Sequence, residues 1–465
     1  MKLYNTMSGE LEEIKTADSQ IRIYLCGVTV YDYSHLGHAR TIIVFDVLRR
    51  YLMQKGYKVR FVQNFTDVDD KIINASKQLG MEPKQVSEKF IDQYFEDFDR
   101  LNVLRADVYP KATEHIQEMQ TLVKGLIDKG FAYATNNGVY FHVSSDDDYG
   151  KLSKKPIDEL QAGARVEVDP SKKDPLDFAL WKFYDDGPLW DSPWGKGRPG
   201  WHIECSAMSI KYLGNSFEIH GGGEDLVFPH HENEIAQSES YTGSTFAKYW
   251  MHVGMVTIRG EKMAKSLKNI EPIHVALKKW GANAIRIYCL SGHYRKMLDY
   301  DEQLLDDALS RWRDIETCAY ELEFAEGSGG PVEEANKIAS ESMQEFVSAM
   351  DDDLDTSKAL TVFTKLVRAI NRYAAGDKLS KDVVNAVNQS FDAMMFVFGL
   401  KKSEVSAAER EEIESLVKQR NEFRAQNKFA EADKIREQLR KKGVELMDHK
   451  GRTVWKKIEM CNGNN

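Results

Sequence analysis

Five cysteines in 465 residues, at Cys26, Cys205, Cys289, Cys318 and Cys461, are too few and too odd in number for a disulfide framework. Long apolar runs are missing too. No stretch approaches the roughly 18 residues a membrane-spanning helix needs, so no membrane partner is expected. The opening Met-Lys-Leu-Tyr-Asn-Thr-Met-Ser-Gly-Glu has no apolar centre and does not read as a secretory signal. Excess positive charge is absent: the net charge is −10, which does not announce a nucleic-acid binder. Internal repeats and low-complexity tracts are absent as well. What remains, 42% hydrophobic and 29% charged, is an ordinary globular composition, and a cytoplasmic protein is the simplest reading. Its length suggests roughly two to four domains.

Charge is nonetheless uneven. Between Lys418 and Lys457 stand 13 Lys/Arg against 6 Asp/Glu. A basic end on an acidic chain could hold a large polyanion without general stickiness.

Residues 21–40 organise the rest. Ile21 to Leu25 reads as a strand, ended by Cys26-Gly27. From Gly37, Ile42, Ile43, Phe45, Val47, Leu48, Tyr51 and Leu52 recur at helical spacing as far as a left-handed stop at Gly56. Val59 to Phe65 reads as a second strand, giving a βαβ unit with a right-handed crossover. His35 and His38 flank Gly37 where the helix begins. A helix N-terminus offers unpaired N–H groups and partial positive charge to phosphate. The glycine admits close approach, and each imidazole adds a donor.

A second motif, Lys262-Met-Ala-Lys-Ser266, follows Arg259-Gly-Glu. Two lysines three apart on a glycine-containing loop suit a polyphosphate as mobile point charges. In this order and this far apart, His35-Leu-Gly-His38 and Lys262-Met-Ala-Lys-Ser266 resemble the "HIGH" and "KMSKS" motifs of class I aminoacyl-tRNA synthetases. Three longer runs narrow the resemblance to the cysteinyl-tRNA synthetase family: Cys26-Gly-Val-Thr-Val-Tyr-Asp32, Gly200-Trp-His-Ile-Glu-Cys-Ser-Ala-Met208, and His220-Gly-Gly-Gly-Glu-Asp-Leu-Val-Phe-Pro-His-His-Glu-Asn-Glu234. The resemblance covers essentially the whole chain. Ala264 departs from it, since Ser is usual there. Both lysines are kept, so activity is expected, with altered loop dynamics.

The resemblance implies an α/β fold: a Rossmann-like parallel-sheet catalytic domain split by an insertion, then an α-helical bundle and a small mixed α/β C-terminal domain. The expected divisions are 1–115 and 216–300 for the two catalytic halves and 116–215 for the insertion. Residues 301–400 would be a bundle contacting tRNA, and 401–465 an anticodon-binding domain. The insertion leaves little room for a separate hydrolytic editing site. Locally, Phe217 to His220 reads as a strand followed by Gly221, Gly222 and Gly223, then a helix from Pro229. Helices near 407–426 and 429–442 precede a hairpin turning at residues 449–451. Trp455 is a candidate for stacking on an anticodon base.

By resemblance, His35, Gly37, His38, Lys262, Lys265 and Ser266 bind ATP, with His35, His38, Lys262 and Lys265 doing the catalytic work. Gly27, Thr66, Trp201 and His220 line the pocket for the substrate cysteine, with His202 beside Trp201. Asp67, Asp69 and Asp70 follow the second strand with roles left open. Cys26, Cys205, His230 and Glu234 would hold one Zn²⁺. They come from three distant segments, so no spacing rule proves the site. His230 and Glu234 are four apart on one helical face, and all four types are acceptable zinc ligands. His231 is kept as a supporting or capping residue. Mg²⁺ would accompany ATP.

The implied reaction joins L-cysteine to tRNA(Cys) through cysteinyl-adenylate, in a monomer. A metal position open to substrate would test for sulfur directly, where shape alone separates cysteine from serine poorly. Two rivals stay open. One is a ligase joining cysteine to an amino-sugar, which residues 401–465 speak against. The other is a non-catalytic RNA-binding or amino-acid-sensing paralogue, which should have lost His35, His38, Lys262 or Lys265. A purely structural zinc protein would draw its ligands from close positions, which this chain does not.

Overall fold

Gln20–Thr29, with Ile23, Tyr24 and Leu25 buried in succession as in a strand covered on both faces, is β1, an interior strand of a four-stranded sheet. The helix α1, Leu36–Gln54, leads to β2, Lys58–Thr66. Much later the helix α2, Trp201–Leu213, leads to β3, Phe217–Gly223, and the helix α3, Glu232–Thr242, to β4, Ala247–Val253. The strand order is β4-β3-β1-β2, and every neighbouring pair is parallel. The computed structural model describes residues 1–16, 18–154, 169–263, 269–450 and 452–458. The chain divides into two units. One holds 1–273, 294–299 and 352–354; the other holds the remainder.

Two strands run further than the sequence suggests, for one physical reason. β1 does not end at Cys26-Gly27 but continues to Thr29, with a register irregularity against β2 between Leu25 and Val28. A Cβ on Gly27 would lie 1.5 Å from the Asn64 carbonyl oxygen, so the glycine allows the strands to stay together rather than ending one. The glycines after His220 likewise belong to β3, pairing with Met251, His252 and Val253 of β4. A Cβ on Gly221 would fall 2.0 Å from the Phe45 ring, so its absence lets α1 press onto the sheet. The helix expected from Pro229 is regular only from Glu232. A wider turn over Val227–His231, with Phe228 in extended geometry, comes first.

α1 is buried along most of its length, and its charged residues are paired inside. Arg50 meets Asp46 at 2.9 Å, and Arg40 donates to the carbonyls of Gly254 and Met255. Between the two halves of the sheet, Ala132–Ala134, Gly138–Phe141, Phe178–Phe183 and Gly197–Pro199 form a separate antiparallel sheet.

In the second unit, helices Glu302–Glu323, Val332–Asp351, Thr356–Ala375 and Lys381–Phe398 run in succession. Helices Ala407–Ala425 and Phe429–Lys441 and the hairpin Val444–His449/Arg452–Lys457 follow. Trp455 is not available to a base. It is 1% exposed, pairs with Leu446 across the hairpin and packs on Tyr320 and Phe324. A strand residue facing its own helices cannot also face solvent. Among the described residues no helix is long and apolar enough to cross a membrane.

Asp448 clamps the hairpin to helix Ala407–Ala425. Its carboxylate accepts two bonds of 2.6 Å from Arg420 and a third from Arg424. The hydrogen bonds from Arg420 come first in holding this carboxyl well below the usual range, with burial opposing. A depressed folded-state pKa gives stability that is complete above the unfolded value, about 4, and is lost as pH falls through the folded one. In Asp448→Asn, hairpin amides should lose exchange protection at pH 7, and wild type should approach the variant only below about pH 4. Equal protection at pH 7 would contradict the clamp.

Candidate metal centre and nucleotide site

The chain leaves β1 for β2 on one side and places β3 and β4 on the other, so the sheet's switch point lies between β1 and β3. Ligands of open parallel sheets bind at the carboxyl edge of that point. Cys26 and Gly27 lie in the carboxyl half of β1, Thr66 ends β2, and Gly221 to Gly223 end β3.

There four donors converge. Cys26, Cys205, His230 and Glu234 each offer an atom within 4.8 Å of the others; Cys205, His230 and Glu234 are buried and Cys26 is half-buried. Cys26 Sγ is 3.8 Å from Cys205 Sγ and 3.4 Å from Glu234 Oε1. His230 Nε2 is 3.0 Å from the same carboxylate oxygen, one helical turn away. His220 and His231 form a second such group with Cys26 and Glu234. His220 Nε2 meets Glu234 Oε2 at 2.7 Å, and its ring stacks on Trp250 at 4.5 Å. It thereby orients the carboxylate whose other oxygen faces Cys26.

Burial would raise the Glu234 carboxyl, but the charges and hydrogen bonds of His220 and His230 outweigh it and hold the group at about 2. Burial would lower the His230 imidazole; Glu234 and the Cys205 sulfur lift it to about 10. Burial and the neighbouring Cys205 push the Cys26 thiol up. These groups therefore share protons in place of a cation. Two sulfurs, an imidazole and a carboxylate fit a divalent metal, whose binding releases such protons.

The pocket side is built from α2. Trp201 is 40% exposed, with its ring 4.1 Å from that of His230, so it is a wall rather than core. His202 Nδ1 lies 2.9 Å from His230 Nδ1, and burial holds His202 neutral. Thr66 is buried, and its hydroxyl donates to Glu204. The three aspartates hold structure: Asp67 accepts from Thr113, Asp69 caps the helix Asp70–Leu79, and Asp70 pairs with Arg198.

Sequence reasoning missed Asn64, Glu204, His252 and Thr6. Asn64 Oδ1 accepts from the Gly27 N–H at 2.9 Å and faces Cys205 Sγ at 3.7 Å. Strand alternation from Thr66 points to Asn64 on the same face, a usable signal. His231 Nδ1 meets His252 Nε2 at 2.8 Å, and His252 Nδ1 meets Thr6 Oγ1 at 2.8 Å. That line joins three remote segments and leaves no trace in local spacing.

Beyond β1, α1 begins at Leu36, with His35 as its cap. His35 Nδ1 accepts from the Gly37 N–H at 3.1 Å, and His38 Nδ1 accepts from the His35 N–H at 3.3 Å. An Nδ1 that accepts carries no proton, so each neutral ring has its proton on Nε2 as a donor. The rings stack, with centroids 3.9 Å apart. Lys262 ends the short strand Glu261–Lys262, paired with Val256–Ile258. Ala264, Lys265 and Ser266 lie outside the described residues.

A split parallel sheet with a histidine-capped first helix is the catalytic fold of class I tRNA synthetases, and the family model for the "tRNA synthetases class I (C) catalytic domain" matches residues 12–310. A DALR domain model matches 345–402, and one for the "Cysteinyl-tRNA ligase anticodon binding domain" matches 408–455. The chain is 47% identical to the cysteine–tRNA ligase of Thermodesulfovibrio yellowstonii, covering 98% of this chain and 99% of the relative. It is 46% identical to that of Thermococcus onnurineus, covering 99% and 100%. The chain belongs to the cysteine–tRNA ligase family. Solved structures share the fold at low identity. They include methionyl-tRNA synthetase of Mycobacterium tuberculosis (TM-score 0.58, 16% identity, 82% of this chain and 88% of that one). Another is the LeuRS of Agrobacterium radiobacter (TM-score 0.62, 11% identity, 83% and 85%).

Gly27→Ala should force β1 from β2 and carry Cys26 with it. A loss of more than about 4 kcal/mol of stability and of bound metal is expected, read by thermal unfolding and elemental analysis. An unchanged unfolding temperature would contradict the close approach.

Proposed function

We propose that the chain activates L-cysteine with ATP and transfers it to the 3′-terminal adenosine of tRNA(Cys), using one Zn²⁺ held by Cys26, Cys205, His230 and Glu234, and Mg²⁺ with ATP. It acts in the cytoplasm as a monomer. The observation that carries the reading is the convergence of those four donors at the sheet edge where α1 begins.

The donor set of two sulfurs, a nitrogen and a carboxylate favours zinc over magnesium or calcium. Held by Cys26, Cys205, His230 and Glu234, zinc would supply a Lewis acid with a preference for a thiol over the hydroxyl of serine. A free thiol has a pKa of about 8.5, within reach of such help. Shape would give only about 1–3 kcal/mol per methylene. Accuracy then needs no separate editing site.

The cysteine carboxylate attacks the α-phosphorus of ATP, and the bond to the bridging oxygen breaks to release pyrophosphate. His35 and His38 present Nε2–H donors to the phosphates at the positive end of α1, and Lys262 and Lys265 neutralise the leaving pyrophosphate. These groups position charge rather than bond to substrate. Gly27, Thr66, Trp201 and His220 shape the amino-acid pocket, Trp201 covering it and His220 fixing Glu234. The 2′-hydroxyl of the terminal adenosine then attacks the acyl carbonyl, and AMP leaves. Helices after residue 301 and the basic domain from 401 hold the tRNA, largely through phosphate contacts. The match of 408–455 to an anticodon-binding domain favours tRNA over an amino-sugar acceptor.

Exchange of labelled pyrophosphate into ATP should require cysteine and Mg²⁺ but no tRNA, with serine near background. Absence of exchange with pure cysteine would overturn the activation step.

A further inference from the structure

Between the strands Gly138–Phe141 and Phe178–Phe183 of the antiparallel sheet, Tyr149 to Ser153 lies against the start of α3. The Glu232 carboxylate is 1% exposed and accepts three backbone N–H groups from that segment. Gly150 and Leu152 donate to Oε1 at 3.0 and 3.2 Å, and Ser153 donates to Oε2 at 2.8 Å. The Tyr149 hydroxyl donates to Asn233 Oδ1 at 2.6 Å. Lys151 donates to Glu239 at 2.6 Å, and the other oxygen of Glu239 accepts from the Phe246 N–H just before β4. Gly150 has a φ of 98°, which lets neighbouring N–H groups turn toward one anion.

Glu232 stands between two of the four donors of the metal centre. Glu234 follows it by two positions, about 200° round the helix. One carboxylate therefore faces Cys26 while the other faces the segment 149–153. His230 precedes Glu232 by two positions, in the wide turn where Phe228 is extended. Repeating helical bonds do not by themselves fix His230 against Glu234 there. Leu152 already holds the segment by apolar contact, in the core cluster that includes Cys205 and Ile235. Adhesion alone would not call for a buried charge, which is costly unless well bonded. Bonds to an ionised acceptor are about twice as strong as neutral ones, and they fix direction as well as depth.

We propose that Glu232 is a positioning residue for the metal centre: anchored on the N–H groups of Gly150, Leu152 and Ser153, it holds the first turn of α3 so that His230 and Glu234 keep their separation across the site. The segment between the two halves of the sheet thereby acts in amino-acid selection, as a brace. This rests on the zinc reading above.

The test compares full-length wild type with Glu232→Gln, which keeps the shape but turns one accepting oxygen into a donor facing an N–H. Tyr149→Phe loosens the same contact more gently. Asp169→Asn is the control, weakening the antiparallel sheet through Asn137, Tyr140 and Ser171 instead. Zinc is titrated against a chromophoric chelator without substrates, and the centre is also loaded with cobalt for its absorption spectrum. Glu232→Gln should bind zinc about 10-fold more weakly, and Tyr149→Phe by a smaller factor. The sulfur-to-cobalt bands should remain, since both cysteines stay, while the ligand-field bands shift. KM for cysteine should rise and KM for ATP stay unchanged. Asp169→Asn should lower the unfolding temperature and leave zinc affinity, cobalt bands and both KM values as in wild type. Unchanged zinc affinity and ligand-field bands in Glu232→Gln, whatever its unfolding temperature, would overturn the proposal, as would equal weakening in Asp169→Asn. If Glu232→Gln does not fold, Tyr149→Phe decides on the same readings. A wild-type chain that retains no zinc would overturn the zinc reading, and the proposal with it.

Discussion

Two thiols and a carboxylate buried against one another form the constraint on which this molecule is built. Glu234 is fully enclosed, and Cys26 and Cys205 stand beside it. Burying an unpaired carboxylate is costly, and ionised sulfurs add to the cost. His220 and His230 offset part of it, each bonding one oxygen of Glu234. A divalent cation at this cluster, as proposed, would offset the rest and bring a preference for sulfur to the same atoms.

The sheet supplies the meeting place. Cys26 comes from β1, Cys205 from α2, His230 from the wide turn before α3, and Glu234 from the first turn of α3. They meet because β1 and β3 are neighbours at the switch point, and because Gly27 and Gly221 let Asn64 and Phe45 approach closer than any side chain would allow. α1 starts from the same edge, so the strand that carries Cys26 also leads to His35 and His38. His35 and His38 cap the helix through Nδ1, which leaves the proton of each neutral ring on Nε2. One local device fixes both the fold and the tautomer.

Much of this was legible in the sequence, where chemistry is carried by residue type and local spacing. The helix from residue 36, the second strand, the terminal helices and the hairpin follow from periodicity and turn residues. The four donors could be named through family runs, though no spacing rule picks them out. Glycine misled twice: Gly27 and Gly221 to Gly223 read as strand ends, yet they mark close approach inside strands. Trp455 misled because a tryptophan in a basic segment suits a base as well as a core, and only the pairing with Leu446 decides its face. Glu204 and His252 owe their places to neighbours brought from far along the chain, which no local pattern records.

Zinc K-edge X-ray absorption of the full-length protein addresses the central claim most directly. The account predicts zinc in a mixed shell with two sulfurs from the protein, gaining sulfur scattering when L-cysteine is added and none when L-serine is added. A zinc spectrum that responds alike to both amino acids, or one without sulfur neighbours, would contradict it.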